Sequence, residues 1–231
     1  MGYGIMLDVS GPRACFTRPE MKAERVSYDV MTPSAARGII EAIYWKPAIV
    51  WRVDGITVLN EIKTDTFRRN EVGGKASYQA AQGAYRGKDV ELSLVASEDR
   101  QQRQTLYLRD VHYLIAAHFE LTDRAGADDT PEKHYNMALR RIRKGQCFNQ
   151  PYFGCREFAV EDFHEADSAA ASRSFYAGKE IDLGYMLYDV DFVHGDAEHV
   201  DHVTEMSPRF FRAVMRDGYI DVAAAREEAI G

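Results

Sequence analysis

Thr105-Leu-Tyr-Leu-Arg-Asp-Val-His-Tyr-Leu-Ile-Ala-Ala-His-Phe-Glu-Leu121 is the longest stretch of the chain rich in β-branched and aromatic residues, and it reads as one long strand carrying a bulge. A loop with Gly126, Asp128 and Asp129 follows it. Then comes Thr130-Pro131-Glu132-Lys133-His134-Tyr135, which has the signature of a helix start. Thr130 supplies an N-cap oxygen, Pro131 suits the first helical position and Glu132 falls in the acid-favouring first turn. This second helix is expected to run to Lys144 and to be stopped by Gly145.

Working outward toward the N-terminus, residues 3–9 alternate as a strand does, with a short apolar piece at 14–16. Thr32-Pro33 opens a first helix, whose apolar positions 36, 39, 40 and 43 share one face. It should end near Trp45, because Pro47 disfavours helical geometry at Lys46. Residues 48–53 and 56–59 read as two strands joined by an Asp54-Gly55 hairpin turn. The span 61–104 is too long and polar for an ordinary connection and is expected to be an extended insertion, a protruding hairpin ending in Val90-Glu91-Leu92-Ser93-Leu94-Val95. A solvated loop and a binding arm remain equal readings of it. After Gly154, Cys155–Val160 reads as a further strand.

The resulting order, strand, helix, strand, long strand, helix, strand, is the βαββαβ arrangement of ferredoxin-like and RNA-recognition folds. The expected class is therefore α+β, with a ferredoxin-like unit over 1–160 carrying the insertion at about 61–104. Residues 161–231 read as a small antiparallel β unit: strands at Ser174–Tyr176 and Leu183–Val193, a hairpin at Phe210–Met215 and Tyr219–Val222, and at Ala223–Ile230 a short helix or a frayed tail.

Composition narrows the partners. Hydrophobic content of 45% with 28% charged residues suits a soluble globular protein, and the absence of an 18-residue apolar run or a leader-like start leads to a cytoplasmic expectation without membrane contact. Cys15, Cys147 and Cys155 lack zinc-site spacing and are expected to be reduced. The net charge of −7 is unevenly spread: residues 1–160 hold 23 Lys and Arg against 20 Asp and Glu, and residues 161–231 hold 6 against 16. A nucleic acid would meet the first part.

Lys133 and His134 stand where a helix leaves backbone N–H groups unpaired and anions are favoured. Taken by themselves they fit a capped helix start with a solvated lysine and a packed or surface histidine more readily than a site. As chemistry, an imidazole moves protons near neutral pH and an ammonium stabilises added charge on phosphorus. RNA carries its own nucleophile, the 2′-hydroxyl, so such a site needs no metal, and Tyr44 at the end of the first helix is a candidate helper. His194, His199 and His202, among Asp196, Glu198 and Asp201, read as an acidic loop rather than a metal site. Gly73-Gly74 lacks the frame of a nucleotide-phosphate loop, and there is no GxSxG nucleophile motif.

Several blocks together resemble a known family: Ser27-Tyr28-Asp29-Val30 with Thr32–Ile39 and Glu41-Ala42-Ile43-Tyr44-Trp45-Lys46-Pro47, then Lys133-His134-Tyr135, and Gly154-Cys155-Arg156-Glu157-Phe158. They are similar to the CRISPR-associated Cas-five family of the RAMP superfamily, in its type I-C (Dvulg subtype) form. The likeness covers nearly the whole chain. It implies an endoribonuclease without cofactor or metal that cuts CRISPR repeat RNA on the 3′ side of the repeat hairpin. It further implies retention of the guide's 5′ handle inside the type I-C Cascade complex, beside the backbone and large subunits. The family's catalytic residues correspond to Tyr44, Lys133 and His134. The expected chemistry leaves a 2′,3′-cyclic phosphate and a 5′-hydroxyl, with Tyr44 positioning the reacting nucleotide. Arg68, Arg69, Arg140, Arg141, Arg143, Lys144 and Arg156 are then expected to hold phosphates. The rival expectation is a non-catalytic scaffold that caps the handle.

Overall fold

A computed structural model describes residues 3–21, 23–75, 77–166, 168–194 and 203–230. Strand β1 (Gly4–Ala14) buries Ile5, Leu7 and Val9 at alternate positions, which fixes one face against the core. A two-residue β2 (Arg25–Val26) precedes helix α1 (Pro33–Ile43). Thr32 caps α1 by accepting from the Ala35 N–H at 3.2 Å, and the face Ala36, Ile39, Ile40 and Ile43 is buried.

Strand β3 (Ile49–Val58) passes through Asp54-Gly55 without turning, so the expected hairpin is absent. The register against the neighbouring strand slips there, from Val53 opposite Ala117 to Gly55 opposite Ala116, which makes Asp54 a bulge residue. The strand continues because Ile56 and Val58 have core to enter, and Gly55 is needed because a Cβ would fall 2.2 Å from the Tyr219 hydroxyl.

Strand β4 (Lys63–Val72) pairs with the outer half of β5 (Arg100–Leu121) as a protruding antiparallel arm, and helix α2 (Tyr78–Tyr85), with no buried residue, lies in the connection. Val90–Val95 is not a strand: the arm closes through Val72 and Arg100, leaving that apolar run without a partner to pair with. Asp110, at φ 53°, follows the last β4 pairing at Arg109; β1 pairs with β5 from Leu108 onward and β3 from Tyr113 onward. Helix α3 (Pro131–Arg143) buries His134, Ala138, Leu139 and Ile142 and ends before Gly145, whose φ of 61° suits a helix stop.

The strand expected at Cys155–Val160 is instead a tight turn closed by a bridge between Tyr152 and Ala159. Phe153 and Phe158 are both buried, and Gly154 packs so close that a Cβ would meet the Cys15 carbonyl oxygen at 2.2 Å, so this segment anchors by its side chains rather than by a ladder. The strand follows immediately as β6 (Asp162–Glu165), paired with β1. Ser174–Tyr176 is likewise a turn, pinned by the Ser174 hydroxyl donating to the Val58 carbonyl at 2.7 Å. Strands β7 (Glu180–His194), β8 (Val203–Arg216) and β9 (Tyr219–Asp221) and helix α4 (Val222–Glu228) complete the chain. The loop carrying His199 and His202 lies outside the described residues.

The class is α+β, with the strands joined in one sheet of order β6-β1-β5-β3-β9-β8-β7. β9 is the seam, hydrogen-bonded to β3 on one side and β8 on the other. One core cluster runs from Leu7 and Ile39 through Ile56 to Phe211 and Met215. α1 lies on β3 and also meets β7, where the Arg37 guanidinium donates twice to the Asp189 carboxylate, at 3.1 and 2.8 Å. α1 and α3 touch: the end of α1 meets Arg141 and the segment after α3, and the Tyr44 side chain reaches back to His134 in the first turn of α3. All three cysteines are free. Among the described residues no helix is long and apolar enough to cross a membrane.

Candidate active site

The first turn of α3 sorts two neighbouring side chains onto different sides. Thr130 accepts the Lys133 N–H through its hydroxyl at 3.3 Å and the His134 N–H through its carbonyl at 3.2 Å. Successive helical residues point about 100° apart, so Lys133 faces solvent while His134 turns inward and is only 1% exposed. The imidazole lies edge-on to Phe119, with ring centroids 6.2 Å apart.

Tyr44 meets it from α1. As the residue just past the helix it has an extended backbone, gives its N–H to the Ile40 carbonyl, and accepts the Trp51 indole N–H at its own carbonyl at 2.8 Å. Its hydroxyl stands 2.7 Å from His134 Nδ1 and 3.6 Å from Met137 Sδ. Arg141 stacks its guanidinium 5.2 Å from the Tyr44 ring centre and donates to the Ile43 carbonyl at 2.7 Å. Burial pushes the Tyr44 phenol above its ordinary pKa, with the Arg141 charge opposing the rise, so the hydroxyl keeps its proton.

Asp129 completes the cluster and was not singled out from the sequence. Its Oδ2 accepts the Gly126 N–H at 3.0 Å, and its Oδ1 takes the Lys133 ammonium at 3.2 Å. The same Oδ1 is 3.3 Å from His134 Nε2, close enough for charge attraction but not aligned as a hydrogen bond, and Nε2 is buried with no such bond. Lys133 Nζ also donates to the Asp128 carbonyl at 3.0 Å. The Gly126 N–H, and then Lys133, hold the Asp129 carboxyl below the usual carboxylate range. An ionised carboxylate facing Nε2 favours a proton on that nitrogen, which leaves Nδ1 to accept the Tyr44 O–H. The only signal for Asp129 in the sequence is its spacing, four residues before Lys133 and five before His134.

The residues expected to hold phosphates separate into groups. Arg68, Arg140, Lys144 and Arg156 are exposed and, among the described residues, have no carboxylate partner. Arg69 is paired with Glu71 and Glu157, and Arg143 with Glu165, so both charges are already met. Arg141 points inward to Tyr44 rather than outward with its neighbours. Among the described residues no group of three or more His, Cys, Asp or Glu is placed to hold a metal ion.

Comparison with known proteins falls on the same span. A family model described as "CRISPR-associated protein (Cas_Cas5)" matches residues 4–223, which include Tyr44, Asp129, Lys133 and His134. The chain belongs to the CRISPR-associated Cas5 family, type I-C. It is 48% identical over 225 residues to the CRISPR pre-crRNA endoribonuclease Cas5d of Mannheimia succiniciproducens, covering 96% of each chain. It is 36% identical over 238 residues to the protein of that name from Thermus thermophilus, covering 98% of this chain and 94% of the relative. Among solved structures, a CRISPR-associated protein superposes with a TM-score of 0.65 at 28% identity, covering 94% of this chain and 90% of the other. A functionally uncharacterized protein from Streptococcus mutans does so at 0.64 and 26%, covering 96% and 95%. The Cas5 match thus takes in both the central sheet and the β7–β8 hairpin.

Proposed function

We propose that this chain is a metal-independent endoribonuclease that cleaves CRISPR repeat RNA in the precursor transcript. It then keeps the 5′ handle of the mature guide as a subunit of the type I-C Cascade complex, next to the backbone and large subunits, in the cytoplasm. The observation that carries this reading is the 2.7 Å contact of Tyr44 with His134 beside Lys133 at the α3 N-terminus. The printed name of the two curated relatives, pre-crRNA endoribonuclease, supports it. The neighbouring strands β6-β1-β5-β3, with α1 and α3 connecting them, support the finer fold reading of a ferredoxin-like unit. The division at 160/161 into that unit and a small β unit belongs to the same proposal.

The reaction needs no outside nucleophile. The 2′-oxygen attacks the adjacent phosphorus as the P–O5′ bond breaks, the 2′ proton leaves to a base, and the 5′-oxygen takes up a proton. The products are a 2′,3′-cyclic phosphate and a 5′-hydroxyl. His134 Nε2 is the proton-transferring atom, Lys133 stabilises the charge that builds on the phosphorane oxygens, and the α3 N-terminus adds its dipole. Tyr44, expected to position the nucleotide, here fixes the imbalance of the imidazole's two nitrogens by holding Nδ1. Asp129 occupies the place of an anion against both Lys133 and Nε2, so the RNA phosphate takes over that place as Asp129 withdraws.

One observation favours the alternative, a non-catalytic scaffold that caps the 5′ handle: Nε2 is buried in this conformation. Incubation with cognate repeat RNA in EDTA separates the two. A single cut, blocked by 2′-deoxy substitution at the scissile nucleotide and lost in His134→Ala, supports the enzyme. Tight hairpin binding without cleavage supports the scaffold, and a requirement for metal ends the mechanism above.

A further inference from the structure

A second feature is lined by Arg141, the residue that stacks on Tyr44. The end of α1 and the segment after α3 enclose an open groove of about 890 Å³, within the range of ligand clefts. Trp45, Phe148 and Tyr152 line it at 50%, 78% and 39% exposure. Exposed apolar side chains carry meaning when they cluster, and here three large rings share one wall. Lys46, Arg141 and Arg156 line it as well, and among the described residues none has a carboxylate partner. The one acid on the wall, Glu41, is already paired with Arg37 at 3.1 Å.

The groove is a fixed shape rather than a loose loop. The Phe148 and Asn149 N–H groups both donate to the Ala42 carbonyl, at 2.8 and 3.1 Å, which ties the segment after α3 to the C-terminal end of α1. Gln150 donates to the Val160 carbonyl at 2.9 Å. Phe148 therefore presents its ring from an anchored backbone, and Trp45 presents its own from the residue next to Tyr44.

We propose that this groove binds an unpaired stretch of RNA flanking the cleaved phosphate, with bases stacked on Trp45 and Phe148 and phosphates held by Lys46 and Arg156. The inference rests on the endoribonuclease reading. Exposed aromatics alternating with unneutralised cations are the arrangement that binds single strands, since a duplex offers no free base faces. In a chain of net charge −7, this wall brings two exposed cations without a carboxylate partner among the described residues, Lys46 and Arg156, together with three open rings. The groove adjoins the site through side chains: Arg141 lines the groove and stacks on Tyr44, whose hydroxyl meets His134.

The test uses the intact protein in EDTA and a short unstructured pyrimidine oligoribonucleotide as probe. Of the two tryptophans Trp51 is buried, so quenching of emission on titration reports Trp45. Quenching is expected in the wild type and equally in His134→Ala, which keeps this test separate from that of cleavage. Trp45→Leu should remove the signal, and Phe148→Ala, at a site too exposed to be needed for folding, should weaken binding about tenfold by fluorescence polarisation. Unchanged emission with wild-type affinity in both variants overturns the proposal. Equal quenching by inorganic polyphosphate, which has no bases, overturns the stacking. A Trp45→Leu/Phe148→Ala double variant that binds RNA normally but fails to assemble with partner subunits gives the groove to a protein and overturns it also.

Discussion

The chain opens two helices with the same dipeptide, Thr32-Pro33 and Thr130-Pro131, and in both the threonine hydroxyl accepts the N–H three residues on. Beyond that the two starts differ. At α1 the cap is buried, Thr32 and Pro33 are both in the interior, and the first turn carries no acid. At α3 the cap is exposed, Glu132 sits in the first turn, Lys133 reaches solvent, and only His134 goes inward. One helix start is spent on packing, and the other turns its positive end to an anion's place, held here by Asp129. A local signal that specifies a helix start thus says nothing about use, which is decided by what the rest of the fold leaves uncovered.

The largest test of this contrast is His134→Ala. On the proposed mechanism it lowers single-turnover cleavage of repeat RNA in EDTA by at least ~100-fold. Cleavage at the wild-type rate would make the α3 start a structural cap like that of α1. Lys133→Met comes next: cleavage should fall by roughly 30- to 100-fold. Urea stability should stay within about 0.5 kcal/mol, because the side chain is exposed. The paired caps sharpen the comparison further. Thr32→Ala and Thr130→Ala should each cost about 1 kcal/mol in urea unfolding, and only Thr130→Ala should slow cleavage, by several-fold.

The smallest effect concerns pH. Because Asp129 is held below the ordinary carboxylate range, its tether contributes stability that is fully present above that range and lost as pH falls through the lowered value. The stability difference between wild type and Asp129→Asn, measured by urea midpoints, should therefore shrink only as pH falls below the ordinary carboxylate range. A difference already lost at pH 5 would mean that the carboxylate is not held as described.

The two helices and the long strand were legible because each carried several agreeing signals. Thr-Pro starts, apolar positions at helical spacing and a stop at Pro47 or Gly145 left little freedom for α1 and α3. Asp54-Gly55 misled because a turn dipeptide and a bulge use the same residues. Only the long partner strand, which pairs on both sides of the slip, distinguishes them. Cys155–Val160 alternates like a strand because Phe158 and Val160 are core anchors, yet Gly154 bends the backbone just before it. Lys133 and His134 could be named as a pair, but their opposite exposure depends on where β5 and Tyr44 lie. Asp129 gave no more sign than any loop acid. The groove joins residues some hundred positions apart in sequence, and no local pattern links Trp45 to Phe148.

β5 has a mechanical consequence of its own. Its 22 residues span on the order of 70 Å, half of it clasped by β4 in the protruding arm and half set between β1 and β3 in the core. Between the halves stands Asp110, whose left-handed backbone interrupts the otherwise extended strand. Arm and core thus share one continuous strand, broken only at Asp110, and near its far end Phe119 packs against His134.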